Sequence, residues 1–266
     1  MSDRQLDLFS GSGIAPVRRA SPATTSPGPS PAERDDAALL AAIPASHLSD
    51  GPALAAEAGR RGLHAAIPML EAYCRRFAGF GARRILPEQV AALDALATIG
   101  GPDAAHSVAR IISRSWVQGP TLVAAVAAAA RLGSHLPLDI VLTLLRHADP
   151  AIRGDACRLA RVGGSQVIAT LTDLLGDLHR GVSVEAACTL GHLGRPEAAP
   201  PLKFALRQAP SLRVIEAAPP IADEECIVLL GRIARAGPPD LAAAAYNALE
   251  AVEHPMAARL LERLGE

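Results

Sequence analysis

Four cysteines and eight histidines stand in this 266-residue chain, enough to raise the question of metal or thiol chemistry. Their spacing answers against it. Cys74, Cys157, Cys188 and Cys226 form no C-x-x-C pair, and no histidine lies at ligand spacing from them. They read as small buried hydrophobes, with no metal and no disulfide framework, and a reducing compartment is the default. His64, His106, His135 and His192 are scattered and read as structural. Asp139, Asp155 and Asp173 are acids that read as surface or capping residues. Trp116, Tyr73 and Tyr246 fall at unrelated places, and Trp116 has the position of a packed helix-end residue. There is no Ser–His–Asp order, no H-E-x-x-H, no phosphate loop and no G-x-G-x-x-G. No catalytic residue and no cofactor is assigned.

The cations are more patterned. Of 26 basic residues, Lys203 is the one lysine and the rest are arginine, a side chain suited to bidentate contact with carboxylates or phosphates. Genome base composition produces the same bias. Basic residues recur where apolar segments end: Arg75 and Arg76, Arg110 and Arg114, Arg146 with His147, and Lys203 with Arg207. Asp177 interrupts the series once. Two readings stand for this ladder: phosphate contact along a nucleic-acid backbone, or cations that complement helix dipoles. The stretch "CRRFAGFGARR" (74–84) sets Arg75, Arg76, Arg83 and Arg84 around Phe77 and Phe80 with no acid. It is either a phosphate-contacting loop or a solvated turn with two core phenylalanines.

The elements that must position these residues are helical. Half the chain is hydrophobic but 3% is aromatic, so the core is aliphatic and small. Ala and Leu dominate, and they lead the helix-propensity ranking. A repeat begins near residue 36: "LDALATIGGPDAAHSVARII" (93–112), "AAAARLGSHLPLDIVLTLL" (127–145), "ACRLARVGGSQVIATLTDLL" (156–175) and "ACTLGHLGRPEAAPPLKFAL" (187–206). Each is a helix, a Gly, a turn and a second helix. Gly100, Gly133, Gly163 and Gly194 are 33, 30 and 31 residues apart. A Gly past the last turn accepts the left-handed conformation that closes a helix. Pro102, Pro196 and Pro255 fall at second-helix starts. Pro219 and Pro220 must break the first helix of a degenerate unit. A pair cannot bury its apolar face alone, so the units must stack.

The segment "HADPAIRGDACRLARVGG" (147–164) resembles the HEAT-repeat signature, particularly the bacterial lyase-type HEAT-like repeats. In that family an Asp–Pro precedes the first helix, an Arg lies within it and a Gly closes it, here Asp149, Pro150, Arg153 and Gly163. The physical reading agrees, since Asp149 can cap a helix that Pro150 begins. The resemblance covers about residues 36–266. It implies an all-α, right-handed α–α superhelix of about six or seven helix pairs, in which second helices line the concave face. It says nearly nothing about activity.

Ahead of the repeats, residues 10–35 are rich in Ser, Pro and Gly and read as a disordered linker. About 24 residues of such coil span roughly 25–30 Å. At its front, Gln5-Leu6-Asp7-Leu8-Phe9 resembles the peptide by which bacterial replication and repair proteins bind the DNA sliding clamp. All five positions match the pattern Gln-Leu, Ser or Asp, Leu-Phe. The resemblance implies that Gln5 takes a polar subsite and that Leu8 and Phe9 fill an apolar pocket. Leu6 adds contact and Asp7 spaces them. Exposed Leu and Phe on a tail are explained by a receiving pocket. Chance and a first helical turn packed on the body are the bland alternatives.

Net charge is −1, so no global field draws the chain to nucleic acid or membrane. Residues 216–266 hold nine acids against four arginines and would face DNA poorly. No signal peptide or membrane-spanning run is evident, which predicts a cytoplasmic protein. The expected organisation is a clamp-binding peptide (1–9), a linker (10–35) and a solenoid (36–266). The expected function is a non-enzymatic adaptor in replication or repair, presenting a second protein or DNA partner on its concave face. The rivals are a HEAT-like glycosylase for alkylated bases and a scaffold unrelated to DNA.

Overall fold

The computed structural model describes residues 30–47, 49–161 and 164–265. The pentapeptide 5–9, most of the linker and the turn residue Gly163 lie outside the described residues. Those described form fifteen α-helices and no strand. Helix α1 (Asp36–Ala45) stands alone. Seven pairs follow: α2 (Gly51–Arg60) with α3 (Ile67–Arg76), α4 (Pro87–Ile99) with α5 (Gly101–Ser113), and α6 (Leu122–Leu132) with α7 (Leu138–Leu145). Then come α8 (Pro150–Leu159) with α9 (Ser165–Leu174), α10 (Arg180–His192) with α11 (Ala199–Gln208), α12 (Leu212–Glu216) with α13 (Glu224–Ala236), and α14 (Pro239–Glu250) with α15 (Pro255–Leu264).

The helices divide into two layers. Each even-numbered helix from α2 to α14 packs on the next even one, and α1, α3 and α5, or α11, α13 and α15, do the same on the other side. The chain therefore folds as an all-helical solenoid whose contacts run mainly between neighbouring units. Small residues let the even layer close up. A Cβ placed on Gly59 of α2 would lie 2.8 Å from the Cα of Ala95 on α4, closer than two side chains allow. Alanine abundance is thus a packing requirement as well as a helix propensity. Larger side chains fill the space between layers; Leu70, Leu93, Ile111, Leu145, Leu171 and Leu202 are essentially inaccessible. Each such burial is worth about 1.5–3 kcal/mol.

The punctuation predicted from glycine and proline is present. Gly100, Gly133 and Gly194 have φ of 73°, 63° and 66°. Gly133 sits in the left-handed helical well that closes α6, whereas Gly100, with ψ −170°, swings the chain straight into α5. Pro102 and Pro255 occupy the first turn of α5 and α15, and Pro196 opens a 3-10 turn ahead of α11. The Pro219–Pro220 pair shortens α12 to five residues and continues as a 3-10 turn. Asp149 caps α8, accepting from the backbone N–H of Ala151 at 2.9 Å, with Pro150 as its first residue. Packed structure starts ahead of Asp36. A 3-10 turn at Pro31–Glu33 is held by Arg61, which donates to the carbonyls of Pro31, Ala32 and Arg34 and to the Asp36 carboxylate. Among the described residues no helix is long and apolar enough to cross a membrane.

Candidate functional site

Short connections make successive helices antiparallel, so the loops that join one pair to the next share one edge of the stack. Two of these loops, 77–86 and 114–121, are locked together. The buried Gln89 side chain donates from Nε2 to the carbonyls of Cys74 and Trp116, each at 2.9 Å. Thr121 Oγ1, also buried, accepts from the Leu86 N–H at 3.0 Å. The backbones touch as well, since a Cβ on Gly119 would be 2.5 Å from the Gly81 carbonyl oxygen.

This staple gathers cations from two repeats. Arg75 and Arg76 end α3, Arg83 and Arg84 ride the first loop, and Arg114 opens the second; all five are exposed. None of the five forms an ion pair among the described residues. The Arg75 guanidinium lies over the Trp116 ring, 5.7 Å from its centroid. Arg76 donates to the Ser46 carbonyl at 3.0 Å and lies 5.6 Å from the centroid of Phe77. Phe77 is buried edge-on against Tyr73. Phe80 is not a core residue: it is 66% exposed, and Ile85 beside it is 60% exposed. The reading of a turn with two core phenylalanines therefore fails at Phe80, because the loop carries it past the last turn of α3, out of reach of the inter-layer core.

The rest of the basic ladder differs. Arg110 is paired with Glu71 at 2.8 Å, and Glu71 also accepts from Ser107. Arg146 donates to Thr170 Oγ1 at 3.3 Å. Arg207 is paired with Glu225, and Lys203 bridges Asp223 at 2.7 Å and Glu225 at 2.9 Å. Asp177, the interruption, is itself occupied by Arg153 at 2.8 Å. The ladder is thus not one stripe. Five cations without carboxylate partners among the described residues lie at its N-terminal end, and the C-terminal end is neutralised by acids.

The remaining candidates stay apart. Asp139 and Asp173 are exposed; Asp155 is half-buried, and burial raises its carboxyl above the ordinary value despite Arg158 at 3.5 Å. All four cysteines are free and buried. Among the described residues no three His, Cys, Asp or Glu side chains are placed to hold a metal ion. Gln89 and Thr121, which hold the cluster together, carry no signal in the sequence, since their partners lie 15 to 35 positions away.

A family-model match agrees with this architecture. Residues 138–219 match the family model for HEAT repeats. The HEAT-matched stretch runs from α7 through the short α12. No curated protein matches the chain. Among solved structures, human deoxyhypusine hydroxylase in complex with glycerol is 21% identical, covering 82% of this chain and 84% of that one, with a TM-score of 0.38. An engineered protein is 17% identical, covering 85% and 95%, with a TM-score of 0.28. Neither likeness bears on what the HEAT-like stack does.

Proposed function

We propose that the chain is a tethered adaptor, docked on the bacterial DNA sliding clamp by Gln5-Leu6-Asp7-Leu8-Phe9 and holding DNA against the 75–84 and 114 arginines. The observation that carries the first half is the match of all five positions of the pentapeptide. The second half is supported by five cations without carboxylate partners, set beside an exposed Phe80 and the Arg75–Trp116 stack. Arginine forks with aromatic faces are the usual means of gripping a nucleic-acid backbone without reading its sequence. Two weak contacts joined by a tether bind far more tightly than either alone. The stack supplies rigidity and no chemistry in this reading.

The test is the affinity of a peptide of residues 1–12 for purified clamp. Binding is expected, and in the full chain Leu8→Ala with Phe9→Ala abolishes clamp capture without moving the thermal melt. A peptide that fails to bind, or a double variant that still captures the clamp, overturns the proposal.

A further inference from the structure

On the opposite edge of the stack, where each pair turns back on itself, the surface opens into clefts. One of about 300 Å³ lies between the end of α8, the end of α10 and the start of α12. Arg158 and Arg161 from the end of α8 and Arg213 from α12 line it, together with His192 and Thr189, and Leu193 gives it an apolar wall. No carboxylate lines it. Its volume sits at the small end of the range for ligand pockets.

The charges around the cleft are unevenly spent. Arg213 is paired with Glu185, and Arg158 reaches Asp155 only at 3.5 Å. Arg161 has no ion pair among the described residues. Its guanidinium is laid across Gly133, where a Cβ would come within 2.9 Å of Nη2. The turn glycine of one repeat thus seats the arginine of the next, and that contact limits the freedom the side chain would lose on binding. Desolvation and then the Arg213 cation, with Arg161 adding to them, hold the His192 imidazole below the ordinary value against the opposing pull of Glu216.

We propose that this cleft binds the dianionic phosphate group of a small phosphomonoester. Guanidinium forks match the oxygens of a phosphate, and a dianion competes better than a singly charged group for Arg158 and Arg213, which it must share with Asp155 and Glu185. Thr189 Oγ1 is occupied by the Cys157 and Glu185 carbonyls, so the arginines and His192 are the groups left to meet the ligand. A bound dianion reverses the local potential, so His192 takes up a proton and adds a donor.

The test follows the His192 imidazole resonances of the full chain through a pH titration, with and without probe. Three probes are used: inorganic phosphate, adenosine 5′-monophosphate, and a short DNA strand without terminal phosphates. The two monoester-type dianions are expected to raise the His192 pKa and to delay melting, as any ligand of the folded state does. Arg161→Ala, at an exposed position, is expected to weaken both effects about tenfold or more while leaving the ligand-free melt unchanged. Arg158→Ala is the second variant and is expected to weaken them likewise. The proposal is overturned if neither dianion moves His192 at millimolar concentration, if both variants respond like the parent, or if the strand with internal diesters alone shifts His192 as strongly as the monophosphate. None of these outcomes depends on whether the N-terminal peptide binds a clamp.

Discussion

At the scale of single residues, the chain uses its ionisable groups to hold shape. Burial pushes the thiols of Cys74, Cys157 and Cys188 up to about 12 and that of Cys226 up to about 11. A thiol that does not ionise is a poor nucleophile, and one without access is inert. Iodoacetamide at pH 8 is therefore expected to label none of the four in the folded chain and all four in denaturant, read by intact mass. Glu57 is the converse case. Hydrogen bonds from Arg60 (2.8 and 2.7 Å) and then Arg61 (2.6 Å) lower its carboxyl from 4.5 to about 2. A depressed carboxylate stabilises the fold fully above its unfolded pKa, and that contribution disappears as pH falls toward the folded value. Glu57→Gln should melt below the parent at neutral pH, with the gap closing between about pH 4.5 and pH 2. A gap that stays constant across that window would mean that Glu57 acts by packing alone.

At the scale of elements, the two layers are tied at the turns. Arg153 of α8 places its Nε 2.8 Å and its Nη2 3.0 Å from the Asp177 carboxylate, which lies in the turn before α10. Its Nη1 donates to the carbonyls of His147 and Ala148 in the turn before α8. One side chain thus joins two successive inter-pair turns. The two side chains are 14% and 6% exposed, so removing one strands the other largely away from water. Arg153→Ala is expected to cost about 3 kcal/mol in a denaturant melt, and Asp177→Asn somewhat less because the amide oxygen still accepts. Much of this level was legible beforehand. The Asp149–Pro150 start, the Gly133 stop and the Pro219–Pro220 break are local, because each follows from backbone geometry within a few residues. The fate of the basic ladder was not. Arg110 meets Glu71 and Arg207 meets Glu225 across repeats, and spacing along one chain does not reveal which cation finds an acid. The exposure of Phe80 was left open for a related reason: helical periodicity assigns a face, and a loop has none.

At the scale of the whole molecule, charge is distributed along the stack, cationic near α3–α6 and acid-rich beyond α12. If the five arginines near Phe80 hold DNA, log affinity for duplex should fall with log salt at a slope of about −4.5, by counterion release. Arg83→Glu with Arg84→Glu should flatten that slope and weaken binding at low salt, measured by fluorescence anisotropy, with the melt unmoved. Binding that ignores salt, or that survives the reversal, would remove DNA from the proposal and leave a protein scaffold. The Arg61 contacts to residues 31–36 matter here in another way. They fix residues 31–36 to one end of the stack, the end that also bears Arg75 and Arg83. If the leading peptide docks as proposed, its partner meets that end first, and the acid-rich far tip lies about seven helix pairs away. The stack therefore has a built-in polarity, with unlike charge at its two ends.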